Sequence, residues 1–339
     1  MGPQDRTRSS ASGADRPRRK LHWIGTAASV LLFAASLAVL YIILSQVDPA
    51  EIRAAFRSAT GAQLAMAGML TAASYALLSG YDLLALRQLR ARMRYRIVAL
   101  GSFTSYAISF TLGFPPLTAG TVRYWIYAPR GLSAGKVASL TLIAGVTFIL
   151  GMATVLSAAL LFRADAMAEL NHLAPKLNML IGGAGLAALA GYLTWVGVER
   201  RAIRMQRWRL ELPTLPVSLA QLALGIGDML AASGVLYVLL PPGHGIAFET
   251  FAAVYAFAAM LGMASHAPGG VGVFEATFLL AFSRLPYEGL LGSLLLFRVV
   301  YYLIPFVLAL LLLGAMEIAS RLRAYRARIE RDATDEQEG

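Results

Sequence analysis

The sequence predicts an all-α polytopic membrane protein made of two inverted repeats, with about six full spans and two re-entrant hairpins broken by proline and glycine, eight membrane elements together. Three observations lead there. The chain is 58% hydrophobic and 14% charged, with mean hydropathy +0.62. Its apolar residues come in runs of about twenty, the length a helix needs to cross a bilayer. The third observation is an internal match: Phe-Pro-Pro-Leu-Thr-Ala-Gly-Thr-Val-Arg at 114–123, shifted by 152 residues, falls on His-Ala-Pro-Gly-Gly-Val-Gly-Val-Phe-Glu at 266–275. Pro116, Gly120 and Arg123 then meet Pro268, Gly272 and Glu275, and a two-residue insertion later Arg130 meets Arg284 and Gly135 meets Gly289. Matching helix breakers in two apolar halves are the mark of a duplicated membrane protein.

Taken in order, residues 1–20 are polar, basic and rich in Gly and Ser, and read as a disordered cytoplasmic tail. Residues 22–44 exceed the usual length of a cleaved signal core and read as an anchored first helix. The balanced loop 45–61 suits the outer face, and a second helix at 62–86 leads into Arg87, Arg90, Arg92, Arg94 and Arg96, which belong inside. If 97–114 crossed completely, Arg200, Arg201, Arg204, Arg207 and Arg209 would be stranded outside. A hairpin at 97–130, turning at Pro115, Pro116 and Gly120, returns every arginine-rich loop to the cytoplasm.

Helices at 137–162 and 177–198 then flank an outer loop at 163–176. The second half repeats the plan, with a helix at 218–240, a hairpin at 248–283 broken by Pro268, Gly269, Gly270 and Gly272, and a helix at 290–315. Repeat 1 covers 21–162 and repeat 2 covers 177–315. With three full crossings in the first half, the second sits upside down relative to it. The basic tail 316–339 ends inside, so both termini are cytoplasmic.

Broken backbone at membrane depth is tolerated where protein or a wet cavity satisfies it, so the two breaks point to a binding site. Each returning arm starts a helix, whose N-terminus attracts anions. Arg123 lies just inside the first, with Tyr127 and Arg130 following at i+4 and i+7 as a phosphate cradle. At the twin position Glu275 either holds a cationic group or satisfies its own helix N-terminus and pairs with an arginine. An Arg123–Glu275 pair stapling the halves stands beside the binding reading with equal weight, since an unpaired intramembrane charge costs roughly 2.5 to 3.5 kcal/mol. Asp228 and Arg298 lie deep enough to pair or function. Asp82 has a snorkelling alternative, and His266 either lines the cavity or bonds a freed carbonyl.

Other chemistries find little support. The chain has no cysteine, and its four histidines are scattered without metal spacing, so neither a metal nor a cofactor is expected. Gly183-Ala-Gly185 lies inside an apolar helix with no strand before it, which suits helix packing rather than a dinucleotide. The net charge of +11 (30 Lys and Arg less 19 Asp and Glu) follows from topology, with arginines flanking apolar runs, and nucleic acid is not a partner. The expected partners are the membrane and a phospholipid substrate.

Three stretches also carry a family resemblance. They are Val-Arg-Tyr-Trp-Ile-Tyr-Ala-Pro-Arg-Gly-Leu-Ser-Ala-Gly at 122–135, Gly-Val-Thr-Phe-Ile-Leu-Gly at 145–151, and the Pro-Gly-Gly-Val-Gly-Val-Phe-Glu run ending at Glu275. Together with Asp228 and Arg298 they resemble the lysylphosphatidylglycerol synthase transmembrane family, and in particular the flippase domain of its bifunctional aminoacyl-phosphatidylglycerol members. The resemblance spans residues 20–318 and implies a bacterial inner-membrane phospholipid translocase, of aminoacylated phosphatidylglycerol in the nearest case. The family's soluble synthase domain has no counterpart here, so a separate lipid synthase enters as a candidate partner. A lipid-modifying membrane enzyme using Asp82, Asp228 or Glu275, and a scaffold for such a synthase, are the alternatives.

Overall fold

The computed structural model describes residues 50, 55–57, 59–198, 202–205, 208–211, 213–265 and 268–338. The expected first helix at 22–44 lies outside them, as does His266. Among the described residues, five helical stretches are long and apolar enough to cross a membrane: Gly61–Gln88, Ala134–Phe162, Pro175–Val198, Leu215–Val238 and Tyr287–Leu322. They coincide with the five expected spans that fall on described residues.

Helix α1 (Gly61–Gln88) starts at a capping box, with Thr60 Oγ1 accepting from Gln63 N and Gln63 Oε1 accepting from Thr60 N. It is followed by α2 (Tyr95–Leu112) and α3 (Pro115–Tyr127), the latter ending in a 3₁₀ turn, Ala128–Arg130. The Tyr127 hydroxyl donates to the Val98 carbonyl at 3.2 Å, so the end of α3 lies against the start of α2 and the two form a helical hairpin. Helix α4 (Ala134–Phe162) and the short α5 (Ala164–Asn171) lead to α6 (Pro175–Val198).

Strands β1 (Ala202–Met205) and β2 (Trp208–Glu211) pair antiparallel. This small ribbon is an addition to an otherwise all-helical architecture among the described residues. Its signal was the alternation of Ile203, Met205, Trp208 and Leu210 with arginines, a period of two.

Helix α7 (Leu215–Val238) runs antiparallel to α1: Gln63 Nε2 donates to the carbonyls of Val238 and Leu240, while Gly80 faces Leu224. A second helical hairpin joins α8 (Phe248–Ala264) to α9 (Val273–Ala281), with Phe251 against Phe278 and Gly262 against Gly270. Helix α10 (Tyr287–Phe297), a π-helical turn at Arg298–Leu303 and α11 (Ile304–Glu338) complete the order. The π turn has a local cause. Pro305 has no N–H for the Tyr301 carbonyl, and the Tyr75 hydroxyl donates to it instead, at 3.3 Å.

These contacts fix which segments share an end of the bundle. The base of the first hairpin lies where α1 finishes, beside the arginine-rich stretch 87–96. The base of the second lies where α1 starts, because Ser293 donates to the Leu239 carbonyl and Gly289 packs on Pro241. The tips approach one another in the interior, with Gly269 facing the carbonyls of Phe110 and Thr111.

The first break sits earlier than expected. Gly113 (φ 79°) and Phe114 (φ 50°) make the turn, whereas Pro115, Pro116 and Gly120 belong to the opening turns of α3. Proline cannot sit inside a helix but fits its first positions, so the pair marks a start rather than the break. The second hairpin turns at Pro268–Gly270, where Gly269 and Gly270, like Gly272 after them, have positive φ.

Candidate functional site

Where the two hairpin tips approach each other lies a cavity of about 400 Å³. The first tip lines it with Gly113, Phe114, Pro115 and Pro116, the second with Gly269 and Gly270. Its polar groups are Tyr106 and Ser109 from α2, Arg123 from α3, Thr141 from α4, Asp228 from α7, Tyr255 from α8, and Tyr301 and Tyr302 from the π turn. The rest of the lining is apolar or glycine, and Phe114, Ile149 and Met263 are exposed where they border it.

Two ion pairs flank this space, one buried and one half-buried. Arg123 donates through Nε to Asp82 Oδ2 at 3.0 Å and through Nη2 to Asp82 Oδ1 at 2.8 Å. Neither side chain is more than 1% exposed. This bidentate fork satisfies the geometry a guanidinium prefers. The Tyr127 hydroxyl adds a third donor to Asp82 at 3.0 Å, and the Tyr106 ring lies 4.8 Å from the guanidinium carbon. Arg123 Nη1 makes only a 3.4 Å contact, with Thr141 Oγ1.

On the other side Arg298 Nε donates to Glu275 Oε1 at 2.6 Å and Nη1 to the Gly269 carbonyl at 2.5 Å. Glu275 Oε2 accepts from Gly272 N at 2.8 Å, closing the N-terminus of α9. Of the two readings of Glu275, the structure has the second: it caps its own helix and pairs with an arginine.

The Arg123–Glu275 staple is therefore not formed; each residue pairs with another partner. The two also differ in depth: Glu275 is the third residue of α9, whereas Arg123 lies eight residues past the start of α3, about 12 Å along its axis. The anion cradle at the start of α3 is likewise not present. Pro115 and Pro116 have no N–H, and the amides of Leu117 and Thr118 donate to the Phe114 carbonyl. Arg130 is exposed in the 3₁₀ turn and donates to the Ile126 carbonyl, away from Arg123. Snorkelling does not apply to Asp82, which is fully buried.

Asp228 sits on the cavity wall at 2% exposure. Ser74 Oγ donates to its Oδ1 at 2.5 Å and the Tyr81 hydroxyl to its Oδ2 at 3.1 Å. Ser74, Tyr81, Thr141 and Tyr106 were missed from sequence. A signal existed for the first two: Ser74 and Tyr81 are seven apart on one face of an apolar helix, next to Asp82.

Comparison with known proteins finds relatives of the chain. Residues 26–309 match the family described as the lysylphosphatidylglycerol synthase TM region. The uncharacterized protein slr0712 of Synechocystis sp. is 32% identical over 313 residues, 91% of this chain and 96% of that one. The inner membrane protein YbhN of Escherichia coli is 28% identical over 300 residues, 87% of this chain and 93% of its own length. A phosphatidylglycerol lysyltransferase of Staphylococcus aureus is 37% identical over 102 residues, 29% of this chain but 12% of that protein.

Proposed function

The chain belongs to the lysylphosphatidylglycerol synthase TM family, and from that premise we propose that it is a phospholipid translocase of the bacterial inner membrane. The observation that carries the reading is the cavity between the hairpin tips: polar groups and Arg123 inside, exposed apolar residues at its border. Its volume suits a headgroup rather than a whole lipid. The phosphate would take the Nη1 donors of Arg123, with Thr141 beside them, while acyl chains stay outside against Phe114, Ile149 and Met263. Aminoacylated phosphatidylglycerol is the substrate class; its ammonium would face Asp228.

The two helical hairpins act as re-entrant elements of inverted repeats, covering 21–162 and 177–315. Their bases at opposite ends of the bundle support that reading. The arginine-rich stretch 87–96, the start of α7 and the charged part of α11 share one end, which faces the cytoplasm. The C-terminus then lies on that side, and a first span at 22–44 would bring the N-terminus there too. Rocking of one half against the other would expose the cavity alternately, with no covalent step.

The test is transfer of a fluorescent phospholipid between leaflets of liposomes holding the purified protein. Gly145 lines the cavity and a Cβ there would meet nothing within 4 Å, so Gly145→Leu can start a bulky side chain at the cavity wall. Transfer should fall at least tenfold in Gly145→Leu, with the melting temperature kept. Transfer at the wild-type rate would remove the cavity from the path, and a change in lipid mass would point to an enzyme instead.

A further inference from the structure

Three carboxyl groups sit among the helices around the cavity, and their partners differ in kind. Asp82 and Glu275 each face a guanidinium, at 2.8 Å and 2.6 Å. A guanidinium only donates, so each of those arginines needs its carboxylate as acceptor. Asp228 has no ion pair among the described residues, and its oxygens meet the hydroxyls of Ser74 and Tyr81.

A hydroxyl both donates and accepts. Ser74 and Tyr81 donate to the carboxylate; when a proton binds Oδ2, the Tyr81 oxygen can turn to accept it with no heavy atom displaced. Ser74 Oγ also lies 2.8 Å from the Tyr301 hydroxyl, which carries the chain of hydrogen bonds to another wall of the same cavity. The other ionisable groups facing Asp228 are Tyr75 of α1, Tyr106 of α2, Tyr255 of α8 and Tyr301 of the π turn, all phenols. Arg123 lines the same cavity, its charge balanced by Asp82. A carboxyl with no ion pair, held by hydroxyls that donate to its charged form and of which one can accept from its neutral form, on the wall of a cavity, is the arrangement an exchanger needs.

We propose that Asp228 exchanges a proton for the cation of an incoming headgroup, so that one proton moves opposite to each cationic phospholipid. The inference rests on the reading of the cavity as a headgroup site. When the ammonium arrives, the O–H bond of the carboxyl breaks and water on that side takes the proton. When the ammonium leaves on the far side, a proton from water there re-forms the bond. Charge inside the cavity is the same in both states, which spares the cost of a naked ion at membrane depth.

The experiment adds lysylphosphatidylglycerol, or phosphatidylglycerol as control, to weakly buffered protein in detergent and follows pH with a dye. The lysyl lipid should release about one proton per protein molecule that binds it, by the one-site exchange above, and the control none. Asp228→Asn should abolish the release and Asp228→Glu restore it. Binding of the lysyl lipid without proton release, equal release from Asp228→Asn, or no binding at all would overturn the proposal. Should Asp228→Asn fail to fold, the wild-type measurement alone still decides. Liposomes with an imposed pH gradient separate the two readings. Lipid transfer insensitive to the gradient defeats the exchange and leaves the translocase standing. Proton release in detergent with no transfer in liposomes defeats the translocase and leaves exchange at Asp228.

Discussion

Asp82→Ala should destabilise the protein by about 3–5 kcal/mol, because it strands the Arg123 guanidinium among apolar helices. Both partners are buried, and the carboxylate takes two donors from Arg123 and one from Tyr127. No other acidic side chain is paired with Arg123 among the described residues. Arg123→Ala strands the carboxylate instead, with only the Tyr127 hydroxyl left to it. The double substitution removes both charges, so it should be more stable than either single variant. Thermal unfolding of the four proteins in detergent measures the coupling directly. A double variant whose loss equals the sum of the two single losses would mean that the pair is not coupled. The same set separates stability from function: the double variant should remain folded yet transfer no lipid.

The second large effect is expected where α4 and α7 touch backbone to backbone. A Cβ on Gly151 would lie 2.2 Å from the Gly225 carbonyl carbon, and one on Gly225 would lie 2.6 Å from the Thr147 carbonyl oxygen. Neither neighbour is a side chain able to turn away. Gly151→Leu must push the helices apart, breaking the close approach that small residues give membrane helices. The expected cost is about 3 kcal/mol or more, the upper range for overpacking. Gly68, inside α1, is the control, since a Cβ there meets nothing within 4 Å. Gly68→Ala should be neutral or stabilise by up to about 1 kcal/mol through helix propensity. Melting temperatures compare the pair; equal values would show that the α4–α7 contact is not tight.

The difference between what sequence revealed and what it hid follows from the physics at particular residues. The spans were legible because a helix in lipid needs about twenty apolar residues whatever it packs against. The second break was legible because Gly269, Gly270 and Gly272 supply the positive φ values its turn uses. The first was displaced because Pro115 and Pro116 look like breakers but begin a helix, while the turn falls on Gly113 and on Phe114, a residue type with no turn signature. The internal match aligned Arg123 with Glu275 and so suggested a pair. Which carboxylate meets Arg123 depends on how α1 packs against α3, and Asp82 is 41 residues away in sequence. Asp228 drew attention as a charge in an apolar run, but its hydroxyl partners emerged only with the fold.

The measurement that bears most directly on the central claim, a cavity between two oppositely oriented halves, is accessibility of single cysteines. The chain has no cysteine of its own, so there is no background. Ala134→Cys, at the base of the first hairpin, leaves the Ser133 cap of α4 in place, and Ser283→Cys lies at the base of the second; both positions are exposed. An impermeant thiol reagent applied to intact cells should label Cys at 283 alone, and Cys at 134 should react only after the cells are opened. Labelling of both from the same side would contradict the inverted arrangement, and with it the alternating exposure of the cavity.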